Sequence, residues 1–134
     1  MAQIEKKLKH LEMIQAVIAR LASNSFLLKA WSVTLLAALF ALAAKDANTA
    51  YILVAYIPLC VFWCLDGIYL ERERRFRDLH DRVRVKPEDQ IDFDMKMPDG
   101  NSFELWLRSL LSVTLAGFYL PLIGLTIVVT LVAR

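Results

Sequence analysis

Two charged side chains lie inside apolar stretches of this sequence, and they are its strongest candidates for chemistry. Lys29 falls in the apolar block Phe26–Ala44, and Asp66 falls in the block Ala50–Leu70. Charged groups are costly in hydrocarbon, where they pair with each other or mark an ion or proton pathway. Each lies about one helical turn inside the end of its block that basic residues flank, so antiparallel blocks bring both to a similar depth. We therefore predict an ion pair between Lys29 and Asp66, with Arg108 near the same plane.

Two other arrangements of these charges stay open. Lys29 and Arg108 could extend their long side chains to lipid headgroups while Asp66 reaches water or a helix donor. A proton or ion relay through Asp66 is the second arrangement, but a single acid without a chain of partners gives it little support.

The remaining reactive side chains do not form a recognisable catalytic or metal-binding set. The sequence contains no GxxxxGK[ST] loop, no GxSxG elbow and no HExxH motif. His10 and His80 are not spaced to share a metal with Cys60 and Cys64, which lie one helical turn apart and are typical of small packing groups. The acidic pair that begins at Asp92 lacks the glycine of a calcium loop. We expect no catalytic residue, no metal and no cofactor, and a protein that is not an enzyme.

Apolar residues are concentrated in three long blocks, which sets the fold class. The chain has 134 residues, is 57% hydrophobic and has a mean hydropathy of +0.45. The blocks are 26–44, 50–70 and Leu105–Val132, and a helix needs about 20 residues to cross a hydrocarbon core of about 30 Å. We predict an all-α membrane protein with three transmembrane helices, the first two forming a hairpin over 26–70. The third transmembrane helix is assigned to 105–134.

The N-terminal segment, residues 1–25, has the pattern of an amphipathic helix. Its apolar residues recur at steps of three and four, among them Leu11, Ile14 and Ile18, with lysines between them. This helix could lie on an anionic membrane face, or pack on the protein's own cytosolic helix or on a neighbouring subunit. Ser23–Ser25 favours a cap or bend before the first span.

The second span is predicted to continue into water as a charged helix that ends before Pro87. Acidic residues precede basic ones by four positions in three pairs, which stabilises a solvated helix. Phe76, Leu79 and Val83 form an apolar stripe on this helix that needs a partner, and the N-terminal helix is the nearest candidate. Together with the acidic segment after it, this helix makes up the predicted cytosolic part, residues 71–104.

The segment after this helix alternates apolar and polar residues over 91–97, which indicates a short β segment. Asn101, three residues before Glu104, favours a helix cap. Trp106 and Arg108 are typical of the membrane–water interface, and they mark the start of the third span.

Two prolines interrupt the predicted spans, Pro58 in the second and Pro121 in the third. Proline cannot donate a backbone hydrogen bond, so we expect a kink at each. At Pro58 a break in the helix that lines a ligand site is the alternative. Gly117 and Gly124 are seven residues apart, which places them on one face of the third span. They could allow close contact with another helix.

The distribution of basic residues predicts the orientation. Lysine and arginine are frequent before the first span and after the second, whereas the first loop has only Lys45 and the C-terminal tail only Arg134. Cytosolic segments carry this excess. We expect a bacterial inner (plasma) membrane protein with a cytoplasmic N-terminus and an external C-terminus.

The layout over residues 8–86 resembles SLATT-type effectors, small bacterial membrane proteins of anti-phage defence. It combines an amphipathic helix, a two-helix hairpin with a short loop and a charged helix, and it includes the sequence NSFLLKAW. It also resembles other small bacterial membrane proteins. The resemblance implies oligomerisation and membrane permeabilisation on a signal.

These observations favour a non-enzymatic membrane effector or pore component that forms a homo-oligomer in the lipid bilayer. The alternatives are a membrane anchor or scaffold that binds a cytosolic protein, and a small transporter component. The net charge of +2 does not indicate nucleic-acid binding, and contact of the arginine-rich helix with acidic lipid headgroups is preferred to a nucleic-acid or nucleotide partner.

Overall fold

The computed structural model describes residues 2–133, and these are 84% helical with no strand. Met1 and Arg134, which the predicted boundaries 1–25 and 105–134 include, lie outside the described residues. The α-helices are α1 (Ala2–Asp46), α2 (Ala50–Val54), α3 (Tyr56–Arg84), α4 (Ser102–Leu110) and α5 (Val113–Val132), and a short 3₁₀ turn spans Glu88–Gln90. Three helical stretches are long and apolar enough to cross a membrane: α1, α2 with α3, and α5.

Helix α1 is continuous from Ala2 to Asp46, so the bend predicted at Ser23–Ser25 does not form. Serine disfavours helix interiors when its hydroxyl competes for backbone groups. In this helix the Ser25 hydroxyl bonds to a side chain of α3 instead, so it leaves the helix of α1 intact. At about 1.5 Å per residue, the 45 residues of α1 extend well beyond a bilayer core.

The second helical stretch is interrupted at Ala55, one turn before Pro58. Helix α2 ends at Val54. In an unbroken helix the Val54 carbonyl would accept a hydrogen bond from the amide of residue 58, but Pro58 has no amide hydrogen to donate. The Ala55 amide instead bonds to the Ile52 carbonyl at 3.1 Å, which tightens the last turn of α2. By contrast, α5 continues through Pro121 without interruption.

The polar half of the molecule, which we define as residues 2–24 and 71–101, has an apolar core. Ile14 and Ile18 of α1 pack against Leu79 and Val83 of α3, and Phe76 lies at the edge of this cluster. The predicted partner-binding stripe is therefore covered by the chain's own N-terminal helix, because the hairpin returns α3 alongside α1. It is not a free surface for a separate protein.

The β segment predicted at 91–97 is not confirmed: the segment has no regular structure. A single extended segment needs a neighbouring strand to satisfy its backbone groups, and this one uses side chains instead. Asp92 Oδ1 accepts the Asp94 amide at 3.2 Å, and Asp94 Oδ1 accepts the Lys96 amide at 2.9 Å. Phe93 has a φ of 56°, which breaks the extended conformation. The alternating pattern is explained in part by Ile91 and Met95, which pack on the apolar core.

The third apolar block, predicted as one helix from 105, contains two helices. Helix α4 ends at Leu110, and α5 begins at Val113 after Ser112, whose hydroxyl accepts the Leu115 amide at 3.4 Å. This serine cap supplies the start signal that hydropathy alone does not reveal. At the other end of α4, the Asn101 side chain accepts the amides of Phe103 and Glu104.

Candidate functional site: a buried charge cluster

The most distinctive site lies where the three apolar helical stretches meet, around the carboxylate of Asp66. Helix α3 supplies Asp66, whose side chain is completely buried. Helix α1 supplies Ser25 and Lys29, which are four residues apart and so share a face. Helix α5 supplies Tyr119, which is also fully buried. We call these residues the Asp66 cluster: Ser25, Lys29, Asp66 and Tyr119.

Both carboxylate oxygens of Asp66 accept hydrogen bonds. Lys29 Nζ donates to Oδ2 at 2.6 Å, and the Tyr119 hydroxyl donates to the same oxygen at 3.0 Å. The Ser25 hydroxyl donates to Oδ1, while its own oxygen accepts from Lys29 Nζ at 2.8 Å. The carboxylate is thus neutralised by one cation and oriented by two hydroxyl groups.

This geometry makes the cluster an electrostatic connection between three helices. A buried ion pair with complete hydrogen bonding is costly to break, because removal of one partner leaves the other charge unpaired, at a cost of about 3–5 kcal/mol. The Lys29 side chain is 18% exposed, so only the carboxylate is entirely sealed from solvent. In this arrangement Asp66 does not line an open pathway.

Aromatic rings enclose the cluster on the α5 side. The Trp63 ring stacks on Tyr119, with centroids 6.1 Å apart and planes 14° from parallel. Lys29 Nζ lies 5.9 Å from the centre of the Phe118 ring, a distance at which a cation is attracted to an aromatic face. These rings place apolar surface next to the ion pair, and an apolar environment strengthens the attraction between opposite charges.

Helix α4 is fixed on α3 beside the cluster by two indole hydrogen bonds. Trp106 Nε1 donates to the Cys64 carbonyl at 3.0 Å, and Trp63 Nε1 donates to the Leu110 carbonyl at 3.1 Å. The helices approach so closely at Gly67 that an added Cβ would lie 2.6 Å from Leu110 Cδ2. The second bond satisfies a carbonyl in the last turn of α4, where helices leave such groups unpaired.

The structure brings together some of the predicted site residues and separates others. Lys29 and Asp66 are in contact, whereas Arg108 lies apart from them and pairs with Glu104 at 2.9 Å on the surface of α4. Cys60 and Cys64 are exposed free thiols on the apolar surface. Within residues 2–133, no group of three or more acidic, histidine or cysteine side chains is arranged to hold a metal ion.

Sequence reasoning missed Ser25 and Tyr119. The spacing of Ser25, one turn before Lys29, is a signal that could have identified it as a partner of the same charge. Nothing along the chain indicates Tyr119, because its contact depends on how α5 is rotated about its own axis.

The fold and the Asp66 cluster define the class of the protein: a helical chain with three helical stretches able to cross a membrane, two joined by a buried ion pair and the third by a tyrosine hydrogen bond to the same carboxylate. No family model, no curated protein and no solved structure matches this chain.

Proposed function

We propose that this chain is a non-enzymatic integral membrane protein of the bacterial inner membrane whose working form is a homo-oligomer in the bilayer. The observation that supports self-association most directly is a groove on the apolar surface between α1 and α3. It is lined by the small residues Ala30, Thr34 and Ala38 together with the larger Trp31 and Phe62, and its volume is about 670 Å³.

The chemistry of the groove suits a helix of a second copy. Small residues four positions apart let two membrane helices approach closely, and close packing drives association where lipid is as apolar as protein. The Thr34 hydroxyl donates to the Ala30 carbonyl of its own helix at 2.9 Å. A second copy would therefore bind the groove through close packing and not through a hydrogen bond to a free hydroxyl.

The alternative functions receive less support. A scaffold that binds its partner through Phe76, Leu79 and Val83 would have to displace α1, which covers this stripe. A transporter that uses Asp66 would have to expose a carboxylate that is buried and hydrogen-bonded to three side chains. An effector that acts between copies requires neither change.

The proposed orientation has the N-terminus and the polar half in the cytosol and the C-terminus outside. It is supported by the basic residues that flank the polar ends of α1 and α3. Alkaline phosphatase fused after Arg134 should be active, and green fluorescent protein fused there should be dark. A fluorescent fusion with inactive phosphatase would contradict this orientation.

Cysteine cross-linking in native membranes tests self-association. In a background with Cys60→Ala and Cys64→Ala, we expect Thr34→Cys to form a disulfide-linked dimer upon mild oxidation. Leu125→Cys, exposed on α5 away from the groove, is the matched control and should stay monomeric. A monomeric Thr34→Cys protein, or equal cross-linking at both positions, would contradict a symmetric dimer in which the grooves of two copies face each other.

Membrane potential tests the effector role separately. Induced expression should depolarise cells that carry the wild-type chain, and Ala38→Trp, which fills the groove, should abolish this effect at equal protein levels. The effector role would be wrong if the membrane potential stayed unchanged at high expression with the activating signal also supplied. This holds even if the chain forms dimers.

A further inference from the structure

A cavity of about 350 Å³ lies where the charged part of α3 meets the start of α4, and its lining has two chemically different sides. We call its apolar lining residues Ile68, Phe103 and Trp106 the apolar side, and Arg72 and Arg75 the cationic side; Glu71 also lines the cavity. A ligand that fits both sides must itself be amphipathic, with an anionic group next to an apolar body.

The two arginines differ in whether their guanidinium groups are already paired with other groups of the chain. Arg75 Nε lies 2.8 Å from Glu71 Oε1, an ion pair not aligned as a hydrogen bond, and its Nη2 donates to the Gly100 carbonyl and the Ser102 hydroxyl. Arg72 has no carboxylate within 4.0 Å anywhere in residues 2–133. Arg72 is exposed, and none of the described carboxylates offsets its charge through an ion pair.

A neighbouring cavity on the other side of Arg75 provides an internal comparison. This second cavity, of about 430 Å³, is lined by Arg74, Arg75 and Arg108 and by the carboxylates of Glu71, Asp78, Asp99 and Glu104. The smaller cavity contains only one carboxylate, that of Glu71, which is already paired. Arg74, like Arg72, has no ion-pair partner within residues 2–133, so the difference lies in the lining around it. The smaller cavity has two arginines and one carboxylate, and the larger has three arginines and four carboxylates, so an anion is favoured beside Arg72 and opposed beside Arg74.

The position of the smaller cavity matches the boundary between hydrocarbon and headgroups. Trp106, whose indole bonds to the Cys64 carbonyl, lies beside the apolar end of the cavity, and tryptophan is enriched at this boundary. Arg72 follows the predicted end of the second span at Leu70 by two residues. In the proposed orientation this boundary faces the cytosol, where anionic lipids attract basic side chains.

We infer that the cavity binds the phosphate group of an anionic phospholipid in the cytosolic leaflet. Arg72 pairs with the phosphate, for which a guanidinium offers two parallel hydrogen bonds. The glycerol and upper acyl chains lie along Ile68, Phe103 and Trp106. This assignment rests on the proposed orientation of the chain and is independent of its self-association.

Native mass spectrometry of the full chain, released from detergent with added phosphatidylglycerol, tests the assignment. The wild-type chain should retain one phosphatidylglycerol molecule and should retain phosphatidylcholine at least tenfold less. Arg72→Gln should lower phosphatidylglycerol retention about tenfold, since it removes a charge-assisted contact. Arg74→Gln, which removes the same charge two residues away, is the matched control and should retain the lipid within twofold of wild type.

A second variant and a soluble competitor complete the test. Phe103→Ala, at an exposed position on the apolar side, should also lower retention without changing the helical circular dichroism. Millimolar glycerol 3-phosphate should not displace the lipid; displacement would show a site for soluble phosphate compounds and would overturn the lipid assignment. Equal loss in Arg72→Gln and Arg74→Gln, or equal retention of the two lipids, would overturn the site itself.

Discussion

The two halves of the molecule are held together by opposite kinds of contact. In the polar half, α1 and α3 are joined by an apolar core of Ile14, Ile18, Leu79 and Val83. In the apolar half, which we define as residues 25–70 and 102–133, the three helical stretches are joined by the Asp66 cluster, whose members are charged or hydroxyl-bearing. The helices of the polar half are thus joined by apolar side chains, and those of the apolar half by polar and charged side chains.

This difference follows from the solvent of each half. In water, burial of apolar surface is the main favourable term, so an apolar core stabilises the polar half. In lipid, an apolar side chain gains little by leaving the acyl chains, and packing with polar contacts decides which helices associate. The apolar half does contain a cluster of Leu36, Ala55 and Leu59, but we assign its specific pairing to Asp66.

Removal of the charge at Lys29 should have the largest effect of any single substitution in this comparison. Lys29→Met leaves Asp66 buried without its cation and should destabilise the chain by about 4 kcal/mol. Unfolding by sodium dodecyl sulfate in mixed micelles measures this change. Lys45→Met, at the exposed far end of α1, is the control and should change stability little.

Reversal of both charges provides the rescue for that prediction. Lys29→Asp alone and Asp66→Lys alone should each be strongly destabilising, and the double variant should recover part of the loss. If the double variant is no more stable than the single ones, the two charges do not act as a pair.

A cavity in the apolar core of the polar half should have the next largest effect. Ile14 is completely buried, so Ile14→Ala should cost about 3 kcal/mol through lost burial and the space left behind. Urea unfolding of the reconstituted chain measures the loss of stability, with hydrogen exchange at the amides of α1 and α3 as the readout. Leu8→Ala, on an exposed part of the same helix, should cost far less; equal costs would mean that this core does not hold the polar half.

The close approach of α4 to α3 should be sensitive to a single methyl group. In Gly67→Ala, Leu110 can move aside, but the Trp106 indole cannot move without losing its bond to the Cys64 carbonyl. We expect a loss of about 1 kcal/mol by the same micelle assay. Gly117→Ala, at a glycine with open space around it, should be neutral or slightly stabilising. A neutral Gly67→Ala would contradict this packing.

The smallest effect concerns the irregular segment that covers the apolar core of the polar half. The Asp94 amide, and to a lesser extent Lys86, hold the pKa of Asp92 below its ordinary value of 3.8. A lowered pKa stabilises the folded segment above pH 3.8, and this contribution is lost as the pH falls through the lowered value. The Asp94 amide resonance should report this transition below pH 3.8, and Asp92→Asn, which keeps the accepting oxygen, should remove it. A transition at or above pH 3.8 would contradict the bond.

The sequence was most informative where a property depends on position along the chain. The three apolar blocks predict three helical stretches because hydropathy and length are local properties. The positions of Lys29 and Asp66 predict their contact because a short loop aligns two antiparallel helices. Residues equally far from the loop along the two helices then lie side by side. The stripe of Phe76, Leu79 and Val83 is recognisable for the same reason, and the N-terminal helix, the nearest candidate partner, is the one that covers it.

The sequence was least informative where a contact depends on rotation or on a third element. Tyr119 reaches Asp66 because of the rotation of α5, which no pattern within that uniformly apolar helix encodes. The alternation at 91–97 is typical of a strand, yet no neighbouring strand exists among the described residues to pair with it. The break at Leu111–Ser112 lies inside a continuous apolar block, so hydropathy does not mark it.

A pair of double-mutant cycles in the same bilayer tests most directly whether the Asp66 cluster, rather than apolar packing, joins the helices of the apolar half. One cycle combines Lys29→Met with Asp66→Leu, and the other combines Leu36→Ala with Leu59→Ala, two residues of the apolar cluster between the same helices. We predict a coupling free energy above about 1.5 kcal/mol for the charged pair and below about 0.5 kcal/mol for the apolar pair. An apolar coupling equal to or larger than the charged one would show that apolar packing holds the spans together, and would contradict the role assigned to the Asp66 cluster.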